Sequence, residues 1–291
     1  MKPYKTGKIP EISENHGFSH TKSLGQNFLT DKNIRDTIIE AAEIKNTDLI
    51  IEIGPGMGVL TKEAAQRASK VIAIEIDKSL IPILDFTLKE NDNIKIINGD
   101  ILKCDLGRIV ADAGDFAAVK ILGNLPYYIT TPIIMKILEE NISAKSITVM
   151  MQKEVAERME AGPGTKTYGA LSLAVQYYCT VKHIANVPKE AFVPRPKVDS
   201  RVLRLEIRSR KPVEVKDEKI FFTCIRAGFG QRRKTLRNSL ANATGNDKEK
   251  SSRILELTGT DPLRRAETLT MQEFADIANK LFEEQKEEWP E

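Results

Sequence analysis

Cysteine is scarce in this chain. The three present, Cys104, Cys179 and Cys224, stand far apart. That excludes a disulfide framework and any Cys-x-x-Cys metal pair, and it fits a reducing cytoplasm. Histidine is equally sparse. His16, His20 and His183 show no metal-ligand spacing, so no zinc or iron site is expected. No apolar run approaches the ~18–20 residues of a membrane span. The start carries Lys2, Lys5 and Lys8 with no apolar block behind them, which does not read as a signal peptide. Charge of one sign is lacking too, since a net +3 names no partner by itself. At 41% hydrophobic and 29% charged the composition is that of a soluble globular protein. A length of 291 residues suits two cores better than one.

Short apolar runs at 49–53, 71–74, 94–97, 118–122 and 146–151 alternate with turn and helix patterns. Such alternation predicts an open, parallel α/β sheet of Rossmann-like form. Two further strands, about 180–187 and 202–207, close it. In the second, Leu203, Leu205 and Ile207 alternate with Val202, Arg204 and Glu206, so one side is expected to be half-exposed. A helix after Asn27 is expected to be capped near Thr30 or Asp31. Near residue 210 the α/β pattern stops. Phe221 with Ile225, Leu236 with Leu240, and Ile254 with Leu257 then mark helices, and a last one opens on a Thr270/Glu273 capping box. The expected organisation is a flexible arm (1–20), an α/β domain (21–210) and a small all-helical C-terminal domain (211–291) with an acidic, solvated tail.

The chemistry collects where strands end. The run 118–122 leads into Gly123-Asn124-Leu125-Pro126-Tyr127, which places this loop at the carboxyl edge of the sheet, where open α/β folds bind ligands. Proline stiffens the turn and lets the carbonyl before it point outward. Asn124 adds an acceptor and Tyr127 a ring for stacking, which together suit a planar base bearing an exocyclic amine. The first strand ends in Glu52-Ile53-Gly54-Pro55-Gly56-Met57-Gly58. This is not the G-x-G-x-x-G spacing that seats a pyrophosphate. A carboxylate just before the turn suits a cationic ligand such as S-adenosylmethionine (SAM) better than a dinucleotide. Glu75 ends the second strand, placed for ribose hydroxyls, and Asp100 ends the third, placed for an adenine amine. A nicotinamide oxidoreductase is the alternative reading of the glycine loop.

Other candidates are less distinctive alone. Asn27 precedes a helix, where Asn is usually a capping residue. Phe192 opens a rigid Pro-rich loop, 191–200, and a Phe usually belongs to the core. Between Arg226 and Arg237 lie Arg232, Arg233 and Lys234 with no acid. A helix over 232–240 would turn Leu236 and Leu240 inward and bring Arg233 and Arg237 to another face, which suits a phosphate backbone.

Taken together, Gln26-Asn27-Phe28-Leu29, Glu52 to Gly58, Glu75-Ile76-Asp77, Gly99-Asp100, Asn124 to Tyr127, Phe192 to Ser200 and Arg232 to Arg237 resemble the rRNA adenine N6-dimethyltransferases of the KsgA/RsmA type. The resemblance runs from about residue 20 to residue 281. It implies that Asn27, Leu29, Gly54, Glu75, Asp100 and Asn124 line a SAM pocket. It also implies that Asn124 and the Leu125 carbonyl act on the target adenine N6, with Tyr127 and Phe192 sandwiching the base. The implied partner is 16S rRNA in the immature small subunit, met in the cytoplasm by a monomer through Arg232, Arg233, Lys234 and Arg237, with no metal and no membrane. The implied product is two neighbouring N6,N6-dimethyladenosines in the 3′-terminal hairpin. The Erm type, which shares the catalytic loop but acts on 23S rRNA, is the nearest alternative. An RNA-binding assembly factor with secondary catalysis is another.

Overall fold

A computed structural model describes residues 25–140, 142–245 and 247–288. The arm expected at 1–20, and Lys22 to Leu24 of the loop after it, lie outside the described residues. The chain forms two compact units, the first from residues up to Ala156 plus Thr180–Ile207. Its strands are β1 (Phe28–Leu29), β2 (Asp48–Ile53), β3 (Lys70–Glu75), β4 (Ile94–Asn98), β5 (Ala118–Asn124), β6 (Ala144–Gln152), β7 (Cys179–Val187), β8 (Phe192–Val193) and β9 (Ser200–Ile207). Seven of them make one sheet in the order β4-β3-β2-β5-β6-β9-β7, and β1 pairs separately with β8. Strands β2 to β6 run parallel, and β9 runs antiparallel to β6.

Every residue of β2 is buried, as a strand must be when both faces of a parallel sheet are covered. Helices α1 (Lys32–Ala41), α2 (Val59–Ala65), α3 (Ile81–Leu88), α4 (Leu106–Ala113) and α5 (Thr130–Glu139) connect the strands. Asp31 caps α1 by accepting from the Asn33 and Ile34 N–H groups at 2.8 and 3.2 Å. The burial of Arg204 corrects the half-exposed face expected of β9. Its side chain is 6% exposed, pairs with Glu43 at 2.5 Å and donates to the Ala41 carbonyl at 2.7 Å. Nearby, Lys120 and Asp48 form a 2.8 Å ion pair with side chains only 5% and 2% exposed. Deleting one partner of such a pair costs roughly 3–5 kcal/mol, because it strands the other charge.

The second unit takes Glu157–Cys179 as well as the residues from Arg208 onward, an addition to the expected 211–291. Helix α6 (Lys153–Glu160) is followed by α7 (Ala170–Tyr178). Leu173 and Tyr177 of α7 pack with Phe221, Leu236 and Phe274. Periodicity shows that a helix has a buried face; it does not show which core that face joins. The remaining helices are α8 (Glu218–Gly230), α9 (Leu236–Leu240), α10 (Lys248–Leu257) and α11 (Met271–Glu288). The capping box is present: Glu273 accepts from the Thr270 N–H at 2.7 Å, and the Thr270 hydroxyl accepts from the Glu273 N–H at 3.2 Å.

Candidate active site at the carboxyl ends of the central strands

The chain leaves β2 to build β3 and β4 on one side, then crosses to place β5 on the other. Crevices open at such a reversal, and here a cleft of about 1020 Å³, counting space open to solvent, is lined by Asn27, Gly54, Glu75, Asp100, Asn124 and Tyr127. Two glycine features shape it. Gly54, Gly56 and Gly58 have φ of +66°, +58° and +80°, a conformation that side-chain-bearing residues adopt only at a cost. Gly123 matters for a different reason. A Cβ there would stand 2.7 Å from the Ile53 carbonyl oxygen, so β5 lies against the end of β2 only because this side chain is missing.

Glu75 caps the tip of β3 and is 4% exposed. It accepts from the Gly56 N–H at 3.2 Å and the Asp77 N–H at 2.9 Å, so the carboxylate also holds the glycine loop in shape. Burial raises its pKa; the bonds from Asp77 and Gly56 oppose the rise, and the Asp77 charge adds to it. Asp77 in turn accepts from the Gln26 side chain at 2.6 Å, tying the segment before β1 to the cleft wall. Asp100 is half-buried and accepts from the Leu102 N–H at 3.0 Å.

Glu52 is the group least visible beforehand. It is 1% exposed, and its Oε2 has no hydrogen-bond partner among the described residues. Burial pushes its pKa up to about 8, with Thr61 pulling down and the Glu75 charge pushing further up. The residue faces the same cleft. The acid before the glycine turn was legible; the burial that leaves its Oε2 without a partner among the described residues was not.

On the other wall, the Asn124 side-chain Nδ2 donates to the Asn27 carbonyl at 2.9 Å. That bond sets the amide's orientation and leaves Oδ1 as the acceptor. Asn27 folds its own amide onto the Gly25 carbonyl at 3.0 Å. The Leu125 N–H donates to Met150 at 3.0 Å. The Pro126 carbonyl accepts from the Ile129 N–H at 3.2 Å and the Thr130 hydroxyl at 2.9 Å, which turns the loop into α5. The Tyr127 hydroxyl lies 2.5 Å from Ser200 Oγ, and burial raises its pKa. Ser200, the first residue of β9, was not singled out from the sequence, although it ends the Pro-rich stretch.

Leu29 lines the cleft and also belongs to the core, at 5% exposure. Phe192 does not stand open as the second ring of a sandwich. It is 2% exposed, opposite Leu29 across the β1/β8 pair and in one cluster with Leu122 and Met150, the usual place for a Phe. The helix expected over 232–240 is corrected. Residues 231–235 form a turn, and α9 has only the five residues after Thr235, so Arg233 and Arg237 do not share a helix face. The Arg232 guanidinium donates to the Lys166 and Tyr168 carbonyls, each at 2.9 Å, while Arg233, Lys234 and Arg237 are exposed. Among the described residues no group of three or more His, Cys, Asp or Glu is arranged to hold a metal ion.

The sequence matches the family described as "Ribosomal RNA adenine dimethylase" over residues 17–280. It is 52% identical over 282 residues to the ribosomal RNA small subunit methyltransferase A of Geobacillus thermodenitrificans, covering 95% of this chain and 96% of that one. The protein of the same name from Clostridioides difficile is 51% identical over 269 residues, covering 92% and 93%. Among solved structures, a dimethyladenosine transferase from Plasmodium falciparum aligns with a TM-score of 0.75 at 28% identity, over 90% of this chain and 98% of that one. The 23S rRNA methyltransferase ErmE aligns with a TM-score of 0.67 at 24% identity, over 88% and 100%, a likeness of fold. By the extent of these matches, this chain belongs to the ribosomal RNA adenine dimethylase family.

Proposed function

We propose that the protein uses SAM to dimethylate N6 of two adjacent adenosines in the 3′-terminal hairpin of 16S rRNA, as a cytoplasmic monomer acting on the immature small subunit. The donor set of the cleft fits a cationic nucleoside. Glu52 brings a buried carboxyl oxygen with no partner among the described residues, and the three left-handed glycines keep side chains away from the β2 turn. In this reading Glu75 takes the ribose hydroxyls with the lone pairs its two backbone donors leave free. Asp100 takes the cofactor's adenine amine, Gly54 allows close backbone approach, and Asn27 and Leu29 complete the wall. SAM, when bound, supplies an electrophilic methyl group.

The protein's own work is to position the acceptor. The N6 lone pair of adenine is delocalised into the ring, so the amine is a poor nucleophile. Acceptors on its N–H bonds, Asn124 Oδ1 and the Leu125 carbonyl, favour a pyramidal nitrogen and aim its lone pair. This is orientation and electrostatics, with no base of shifted pKa required. Extracting the base costs a few kcal/mol, and one aromatic stack returns ~1–3 kcal/mol. With Phe192 packed in the core, Tyr127 supplies the stack, and RNA contacts elsewhere supply the balance. Arg233, Lys234 and Arg237 are the cations available to phosphates, while Arg232 is occupied within its own unit.

The observation that carries this reading is the Asn124 amide, with its donor side committed to Asn27 and its acceptor left for N6–H. The test is purified protein with labelled SAM and immature small subunits, followed by mapping of both rRNAs. Label at the paired adenosines of the 16S hairpin supports the reading; label in 23S rRNA favours the Erm type, and no label in either sinks it. The naming of the half-identical relatives for the small subunit favours the 16S target. If Asn124→Ala abolishes methylation yet subunits mature normally, binding is the main task and catalysis is secondary.

A further inference from the structure

Tyr128 follows Tyr127 in the loop but takes no part in the roles above. Its side chain faces the cleft, yet the residue is 56% exposed. Burial in the core therefore does not account for a large ring here. The ring nevertheless has a neighbour on one side. Tyr128 Cδ1 and Cε1 lie 3.4 and 3.6 Å from where a Gly25 Cβ would stand, so it rests against the backbone of the segment before β1. Tyr127 is anchored the other way, through its hydroxyl to Ser200 on β9. The two consecutive rings therefore meet different segments, Tyr127 the start of β9 and Tyr128 the residues before β1, one half-buried and one open.

An open ring beside a cleft is what single-stranded nucleic acid uses as a platform, since every base has a face to stack and the contact needs no particular sequence. Extracting one adenine also leaves its neighbour without a stacking partner. Resting on the RNA reading above, we propose that Tyr128 stacks the nucleotide next to the target adenine, so that the two rings hold two successive bases. The ring then returns part of the extraction cost that Tyr127 alone leaves open. It also offers the adjacent adenosine a resting place beside the site where it is the next substrate.

The test compares Tyr128→Ala, Tyr128→Phe and Tyr128→Trp on immature small subunits, with SAM affinity measured separately by calorimetry. Loss of one stack lowers kcat/KM for RNA by roughly 5- to 150-fold in Tyr128→Ala. Tyr128→Phe and Tyr128→Trp stay within about 2-fold of the native protein, and all three bind SAM normally, because the ring faces RNA and its hydroxyl is not used. A Tyr128→Ala protein with native kcat/KM overturns the proposal. So does a loss that Phe and Trp fail to restore, or a loss traced to SAM affinity. A native protein that methylates nothing refutes the activity itself, which separates the two failures.

Discussion

Replacing Glu52 with Gln isolates the most unusual group in the cleft. The carboxyl titrates at 4.5 ordinarily and at about 8 in the folded protein, where burial disfavours the charge. Between those values the folded state holds a proton that the unfolded chain has released. Stability therefore falls as pH rises through that window and levels off above it. At about 1.4 kcal/mol per pH unit, the full loss is about 5 kcal/mol. Glu52→Gln keeps the volume and removes the titration, and Glu75 is common to both proteins. In urea melts followed by circular dichroism from pH 4 to 9, the variant should gain on the native protein steadily up to about pH 8 and then hold its lead. A cationic ligand beside Glu52 favours the ionised form, so SAM should bind the native protein more tightly as pH rises toward 8, and the Gln variant should lose that trend. Parallel stability curves for the two proteins would refute the reasoning, because they would mean that the carboxyl is solvated or paired.

Three further outcomes follow from particular contacts. Gly123→Ala sets a methyl against the Ile53 carbonyl, where neither backbone can yield; it should cost about 1–3 kcal/mol in urea melts and, by shifting Asn124, reduce methylation far more than it reduces stability. Tyr127→Phe loses only the bond to Ser200, worth about 1 kcal/mol, and should keep most activity, whereas Tyr127→Ala loses the ring and should fall roughly 5- to 150-fold in kcat/KM. Arg233→Ala and Arg237→Ala should each flatten the slope of log affinity against log salt by about 0.7–0.9 without changing stability; Arg232→Ala should instead destabilise, since its guanidinium holds two carbonyls.

Much of the fold was legible because strands and caps leave local signatures. The expected strand 49–53 lies within β2, Asp31 caps α1, and Thr270 with Glu273 opens α11 as expected. What was not legible depends on partners distant in the chain. Arg204 breaks the outward side of an alternating strand because Glu43 comes to it from the segment after α1. Helix α7 sits between two strands of the sheet in sequence but buries Tyr177 among C-terminal aromatics. Residues 232–234 read as helix from the Leu236/Leu240 spacing, yet that spacing covers a single short helix and says nothing of the turn before it. At the site, strand-tip acids and the Asn-Leu-Pro-Tyr loop could be picked out from position alone. The Ile53–Gly123 approach and the partnerless Glu52 oxygen arise only when β2 and β5 are laid side by side.

The most direct test of the account is mass spectrometry of rRNA from a strain lacking this protein, complemented with either the native chain or Asn124→Ala. The account predicts that the native chain restores two neighbouring N6,N6-dimethyladenosines in the 3′ hairpin of 16S rRNA and that the variant leaves them unmethylated. Full dimethylation in the uncomplemented strain, or equal restoration by both chains, would contradict it.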